Sequence, residues 1–247
     1  MERKKYSVLI MLLLVSVLAN SANYRSEIYK AYIGNRMDLW KKTLDEMNRQ
    51  KTDDPTYLLE LVNYQYGYIG WAIGNNQKKE ASRILDEAEA NILKIEKAGY
   101  QPSWVHSYKS AFYGFKISFN PLKAPFIGPK SMDHAQLAVE TGPGNYFGFV
   151  QLGNVWFYMP AAFGGSKKKA LEYLLTAQKL IEKDAGQLEE NWNYLSLLAF
   201  IGQAQMEVKE YTQAKTTFEK ALRLEPGFRW VKEELYPQLL NKMKNEK

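Results

Sequence analysis

From residue 24 onward, apolar residues recur at intervals of three and four, the spacing that gathers them on one face of an α-helix. Alternating β-branched runs bounded by turns, which would mark strands, are almost missing. Breakers cut the pattern at Gly34-Asn35, Asp53-Asp54-Pro55, Gly74-Asn75-Asn76, Gly99 to Pro102, Asn120-Pro121, Gly142-Pro143-Gly144, Gly164-Gly165, Gly186 and Pro226-Gly227. The segments between them predict about eleven helices, which fall into pairs: 24–33 with 36–49, 55–73 with 77–97, 103–118 with 130–140, 145–158 with 166–183, and 188–206 with 210–224. A last helix, 228–244, has no mate and reads as a cap. Helix pairs of this size cannot bury their apolar faces singly, so the succession predicts an all-α solenoid in which stacking supplies the core.

The clearest unit is LLAFIGQAQMEVKEYTQAKTTFEKALRLEPGF, within residues 195–228. It resembles the tetratricopeptide repeat: Ile201-Gly202 stands at the step of the first helix, Tyr211, Ala214, Phe218 and Ala221 at the positions of the second, and Pro226 at the closing proline. Ala214 and Ala221 suit close helix approach, which needs side chains without bulk. Residues 146–183 form a divergent copy, with Leu152-Gly153, Ala170, Leu174 and Ala177 in register and five extra residues in the turn. That turn, carrying Pro160, Phe163, Gly164, Gly165, Ser166 and Ala170, is similar to one in the T component of tripartite ATP-independent periplasmic (TRAP) transporters. The resemblance implies an α-solenoid that binds a protein partner or a hydrophobic ligand.

The first residues change the picture of where the chain works. Arg3, Lys4 and Lys5 precede an apolar run over 7–19, followed by small and polar residues. The run is short of the ~20 residues a membrane-spanning helix needs. It has the build of a secretory signal peptide, 1–22, with cleavage after Ala19 or after Ala22, and the alternative is an uncleaved anchor. Residues 23–247 then form one helical-repeat domain, exported and periplasmic or otherwise extracytoplasmic, with no membrane span in the mature chain. The chain has no cysteine, so it holds no disulfide, thiolate ligand or thiol nucleophile and offers no site for lipidation at a processed end. Its net charge of +6, or +4 without residues 1–19, is a mild excess in a chain rich in both signs and does not point to nucleic acid.

Candidate chemistry is sparse. PAAFGGSKKKALEYL places Ser166 before the lysines and follows a predicted helix, so it reads as a turn capped by Ser166 and not as a phosphate loop. GPGNYFG at 142–148 lacks both the spacing and the leading strand of a dinucleotide site. His106 and His134 sit on different predicted helices without a second histidine at i+4, and read as ordinary surface or packed residues. Carboxylates adjacent in sequence, such as Glu189-Glu190 and Glu233-Glu234, point in different directions on a helix. The sequence therefore predicts no enzyme, no cofactor and no metal site.

Aromatic residues make up 14% of the chain and concentrate on the first helices of the pairs. Tyr64, Tyr68 and Trp71 share one helix face, as do Tyr108, Phe112 and Phe115; Phe147, Gln151, Asn154 and Phe157, then Phe200 and Gln203, continue the series. In stacked repeats these positions would line one concave groove, although a core stripe has the same spacing. Lys167, Lys168 and Lys169 open a helix where the dipole is positive, unfavourable by ~0.3–1 kcal/mol each, and are candidates for an acidic partner or anion. The functional expectation is a non-catalytic exported scaffold that binds a protein or peptide partner in the groove. The alternative is a periplasmic carrier or transporter accessory holding a small apolar ligand between repeats.

Overall fold

The protein, as a computed structural model, is described over residues 24–245; the signal-like segment and both cleavage points lie outside the described residues. The described residues are helices and connections throughout: α1 (24–33), α2 (Met37–Arg49), α3 (Pro55–Gly74), α4 (Lys78–Lys97), α5 (Pro102–Phe119), α6 (Ala124–Thr141), α7 (Tyr146–Tyr158), α8 (Lys167–Ile181), α9 (Trp192–Glu207), α10 (Tyr211–Leu224) and α11 (Tyr236–Asn245). Five antiparallel hairpins stack in sequence, so the expected all-α solenoid holds. Local chemistry sets the boundaries. Asp54 accepts from the Thr56 amide at 3.1 Å and Pro55 opens α3, while Asn145, Ser166 and Asn191 cap α7, α8 and α9 in the same way. Asn35, Asn76 and Lys209 take positive φ and reverse the chain within three hairpins.

Close helix approach fixes the later pairs. A Cβ on Gly202 would lie 2.2 Å from the Phe218 ring, and one on Gly153 would lie 2.6 Å from Leu174. Ala214, Phe218 and Ala221 are buried against that contact. The turn before α8 has the same logic: Gly164 takes φ +90°, and a Cβ on Gly165 would overlap the Met159 carbonyl.

Three boundaries differ by several residues from the sequence reading, and the first is the start of α9, at Trp192 and not at 188. α6 begins at Ala124 and not at 130, so Pro129 lies inside it. Pro129 has no N–H for the carbonyl four residues back, at an interior cost of about 3 kcal/mol. The terminal cap is also not one α-helix: Trp230–Leu235 form a π-helical turn that leads into α11. Pro237 stands at the second position of α11, where an α-helix would ask for its missing N–H, and the wider turn accommodates it.

The superhelix closes on itself. The Arg25 guanidinium reaches the carbonyls of Glu189 and Glu190, Ser26 donates to Glu190 at 3.0 Å, and the Tyr29 hydroxyl donates to Glu225 at 3.2 Å. Arg229 bonds the Gly34 carbonyl at 3.5 Å. The first hairpin is thereby held against the last. No helix among the described residues is long and apolar enough to cross a membrane.

Candidate functional site: an aromatic hub and the open trough beside it

The centre of the molecule is Tyr66, on α3. Its ring lies 5.5 Å from Phe115 in a stacked arrangement, 6.0 Å from Tyr108, 5.2 Å from Phe147 and 6.3 Å from Trp192, so one side chain touches α5, α7 and α9. Its hydroxyl meets the amides of Gln151 and Asn154; burial raises its pKa, and the two amides oppose that rise. Asn154 donates to Gln151 Oε1 at 3.2 Å, and Gln151 is 1% exposed.

The rings continue towards the closure. Trp192 packs edge-on against Trp40 at 5.0 Å and Tyr32 at 5.6 Å, and Tyr32 lies 5.1 Å from Phe228. Trp40 is fully buried and its indole donates to the Tyr64 carbonyl at 3.0 Å. Both indoles approach Gly67, where a Cβ would come within 2.7 Å of each.

The structure brings some of the expected groove residues together and separates others. Tyr108, Phe112, Phe115, Phe147, Gln151 and Asn154 gather around Tyr66. Phe157 and Phe200 meet at 5.0 Å and form a second cluster with Tyr158. Tyr64 and Tyr68 turn elsewhere: Tyr64 donates to Glu60 at 2.7 Å, and Tyr68 sits under the charges of Glu80, Asp45 and Arg83. Trp71 packs on Tyr68. Tyr64, Tyr68, Tyr108, Phe112, Phe147, Gln151 and Phe157 are buried, and Trp71, Phe115, Asn154, Phe200 and Gln203 are half-buried. The groove expected from the spacing is thus largely filled by its own rings. With a large aromatic on each neighbouring first helix, the side chains reach one another and exclude solvent.

What stays open is the surface where α3 and α5 meet, around Phe115. Gly70 and Gly114 are exposed positions within helices, and Gly74 ends α3. A Cβ at Gly74 or Gly114 would meet nothing within 4 Å, and one at Gly70 would only touch the edge of Phe115, at 4.0 Å. Phe115, half-buried and stacked on Tyr66, is the ring nearest to Gly70 on that surface.

The three lysines before α8 are mostly engaged internally. Lys167 bonds the Phe157 carbonyl and lies 3.6 Å from that ring's centre, and Lys169 lies 3.9 Å over Trp156. Lys168 is exposed.

The pairing of α5 with α6 produces an arrangement the sequence reading missed. His106 and His134 meet head to head, Nδ1 to Nδ1 at 3.0 Å, so one neutral imidazole donates to the other. Tyr113 stacks on His134 at 5.6 Å. Burial holds both below the usual histidine pKa, with Lys109 adding to it at His106, and His106 and Lys109 at His134. The signal was present as one histidine on each of two helices predicted to pair. Tyr66 escapes the sequence reading because Tyr64, Tyr66 and Tyr68 crowd one helix, and the spacing assigns Tyr64 and Tyr68 to the groove although they are buried against other elements. A recess of about 50 Å³ beside His106, lined by Glu96, Gly99, Tyr100, Pro102 and Val105, is far smaller than the ~300–1,000 Å³ of ligand pockets. Among the described residues, no three His, Asp or Glu side chains cluster to hold a metal.

These features define a closed all-α hairpin solenoid with a packed aromatic interior and one open aromatic face. No family model and no curated protein matches the chain. Among solved structures it is similar to the HusA haemophore from Porphyromonas gingivalis, with a TM-score of 0.59 and 20% identity over 75% of this chain and 93% of that one. At that identity the likeness is one of fold.

Proposed function

We propose that this chain is an exported, non-catalytic carrier that holds a flat apolar ligand on the surface where α3 and α5 meet. The observation that carries the reading is the set of glycines around Phe115. Gly within a helix costs about 1 kcal/mol relative to Ala, and at Gly70 and Gly114 no neighbour needs the space that the missing side chain leaves. A planar body lying on Phe115 would use it. The fold likeness to a haemophore supports a tetrapyrrole as the first ligand to try. Export rests on the signal-like N-terminus, and the repeat signature of α9 and α10 supports a tetratricopeptide-type ancestry, with the T-component resemblance as its finer form.

The second reading, a peptide partner, is favoured by the half-buried Trp71, Asn154, Phe200 and Gln203, which leave polar and aromatic groups within reach of solvent. Haemin titration followed by absorbance and tryptophan quenching separates the two. Gly70→Leu and Gly114→Leu should each weaken haemin binding by about ten-fold or more while the helical circular dichroism stays intact, since Leu is the better helix former. Haemin binding of wild-type strength in both variants sinks that surface as the site. A peptide captured by wild type and lost in Phe200→Ala, with no haemin bound by any form, establishes the second reading instead.

A further inference from the structure

The four most exposed large apolar side chains among the described residues are Leu122 (84%), Phe126 (78%), Phe163 (74%) and Tyr158 (71%). All four lie on or beside two connections. Leu122 and Phe126 belong to the α5–α6 connection and the first turn of α6; Tyr158 and Phe163 belong to the α7–α8 connection. Because consecutive helices are antiparallel, α5 and α7 run side by side in the same direction and their C-terminal ends share one edge of the solenoid. The corresponding turns of the first, second and fifth hairpins are three residues each and expose no large apolar side chain: Gly34 to Arg36, Asn75 to Gln77, and Val208 to Glu210.

The same region carries the charge. Residues 97–171 hold eight lysines and no arginine against Asp133 and Glu140; Lys109 and Lys116 pair with Glu96 and Glu89, and the other six make no ion pair with a carboxylate among the described residues. From 117 to 132 and from 155 to 171 there is no carboxylate at all. Lys123, Lys130 and Lys168 are exposed on this edge.

We propose that this edge docks on the surface of an anionic lipid bilayer. Leu122, Phe126, Phe163 and Tyr158 enter the headgroup layer, and Lys123, Lys130 and Lys168 face the phosphates. Aromatic and leucine tips flanked by lysine suit an interface that is apolar below and negative above. Leu122, Phe126 and Phe163 stand out on the two connections, and Tyr158 rests on Phe157 and Phe200 beside them. The presentation is also rigid: the Gly165 amide donates to the Pro160 carbonyl and the Ser166 amide to the Trp156 carbonyl, both at 3.1 Å. The proposal is independent of the ligand surface, since neither Gly70 nor Gly114 takes part.

Vesicle flotation of the protein purified from its native host tests it. Wild type should bind vesicles containing phosphatidylglycerol, and weakly or not at all those of phosphatidylcholine alone, with binding that falls as salt rises. Leu122→Ser with Phe126→Ser and Phe163→Ser should lower the bound fraction about ten-fold, and Lys123→Glu with Lys130→Glu and Lys168→Glu should do the same. Helical circular dichroism and melting temperature should be unchanged, because these side chains touch little. Equal binding to both vesicle types, or triple variants that bind like wild type, overturns the proposal. So does a serine variant that abolishes self-association on gel filtration when wild type binds no vesicles, since the edge is then a contact between copies.

Discussion

The fifth hairpin and the third hairpin solve the same packing problem in opposite ways. In α9 and α10 a glycine meets a fully buried phenylalanine, alanines line the contact, and the connection is a tight turn at Lys209. In α5 and α6 serines do that work: Ser103 donates to the Ala138 carbonyl at 2.6 Å and Ser110 to the Ser131 carbonyl at 2.8 Å. A histidine pair joins them, a proline stands inside the second helix, and the connection, Asn120 to Lys123, carries the exposed Leu122. The first arrangement specifies a hairpin by shape. The second specifies one by polar pairing, and leaves Gly114 and the connection free for other uses.

That contrast can be broken at its strong end first. Phe218→Ala should cost about 3–5 kcal/mol, the range for deleting a fully buried phenylalanine, measured by urea unfolding. Gly202→Ala should cost about 2–3 kcal/mol, because its new methyl group falls inside the Phe218 ring; an unchanged midpoint would mean that the fifth hairpin is not defined by that contact. In the third hairpin the sign reverses: Gly114→Ala should stabilise by about 0.5–1 kcal/mol, since it fills only open space.

The smallest effect sharpens the polar side of the comparison. His106 and His134 have folded pKa values below the ordinary ~6.5 of an unfolded histidine. Between those values the unfolded chain binds more protons than the folded one. The stability these groups confer is therefore present above about pH 6.5 and is lost as pH falls through the folded values. The charges facing the pair are Lys109, Glu96 and Asp133, and protonating both rings would set two cations against each other beside Lys109. Wild type should lose more melting temperature between pH 7.5 and 5 than His134→Phe does. Equal losses would remove the pair from the account.

The same comparison explains how far the sequence could be read. The hairpins were legible because breakers are local: a Gly-Asn or Asn-Pro step acts on its own few residues wherever it stands. The fifth hairpin was the plainest, since shape complementarity leaves a fixed trace of small residues. The third was blurred at Pro129, which reads as a boundary although the helix runs through it. Inward and outward faces were harder. On α3 aromatics or branched residues occupy nearly every direction, and the choice between Tyr64 with Tyr68 and Tyr66 depends on which neighbour lies across. That is settled by the closure through Trp192, more than a hundred residues away. The open surface around Phe115 was invisible for the same reason, because a glycine with empty space above it reads like any other until its surroundings are known.

The closure has a consequence for how the molecule comes into being. Hairpin arrays ordinarily assemble by nearest-neighbour steps from any starting point. Here α1 waits on residues 164 to 196 positions further along the chain. Synthesis delivers the N-terminal segment first, so Tyr32 and Trp40 lack their cover until α9 and Phe228 have followed. Fastening the loop carries the entropy cost of joining distant points, and it makes the last-made hairpin the latch for the first. Truncation after α8 should therefore loosen both ends at once.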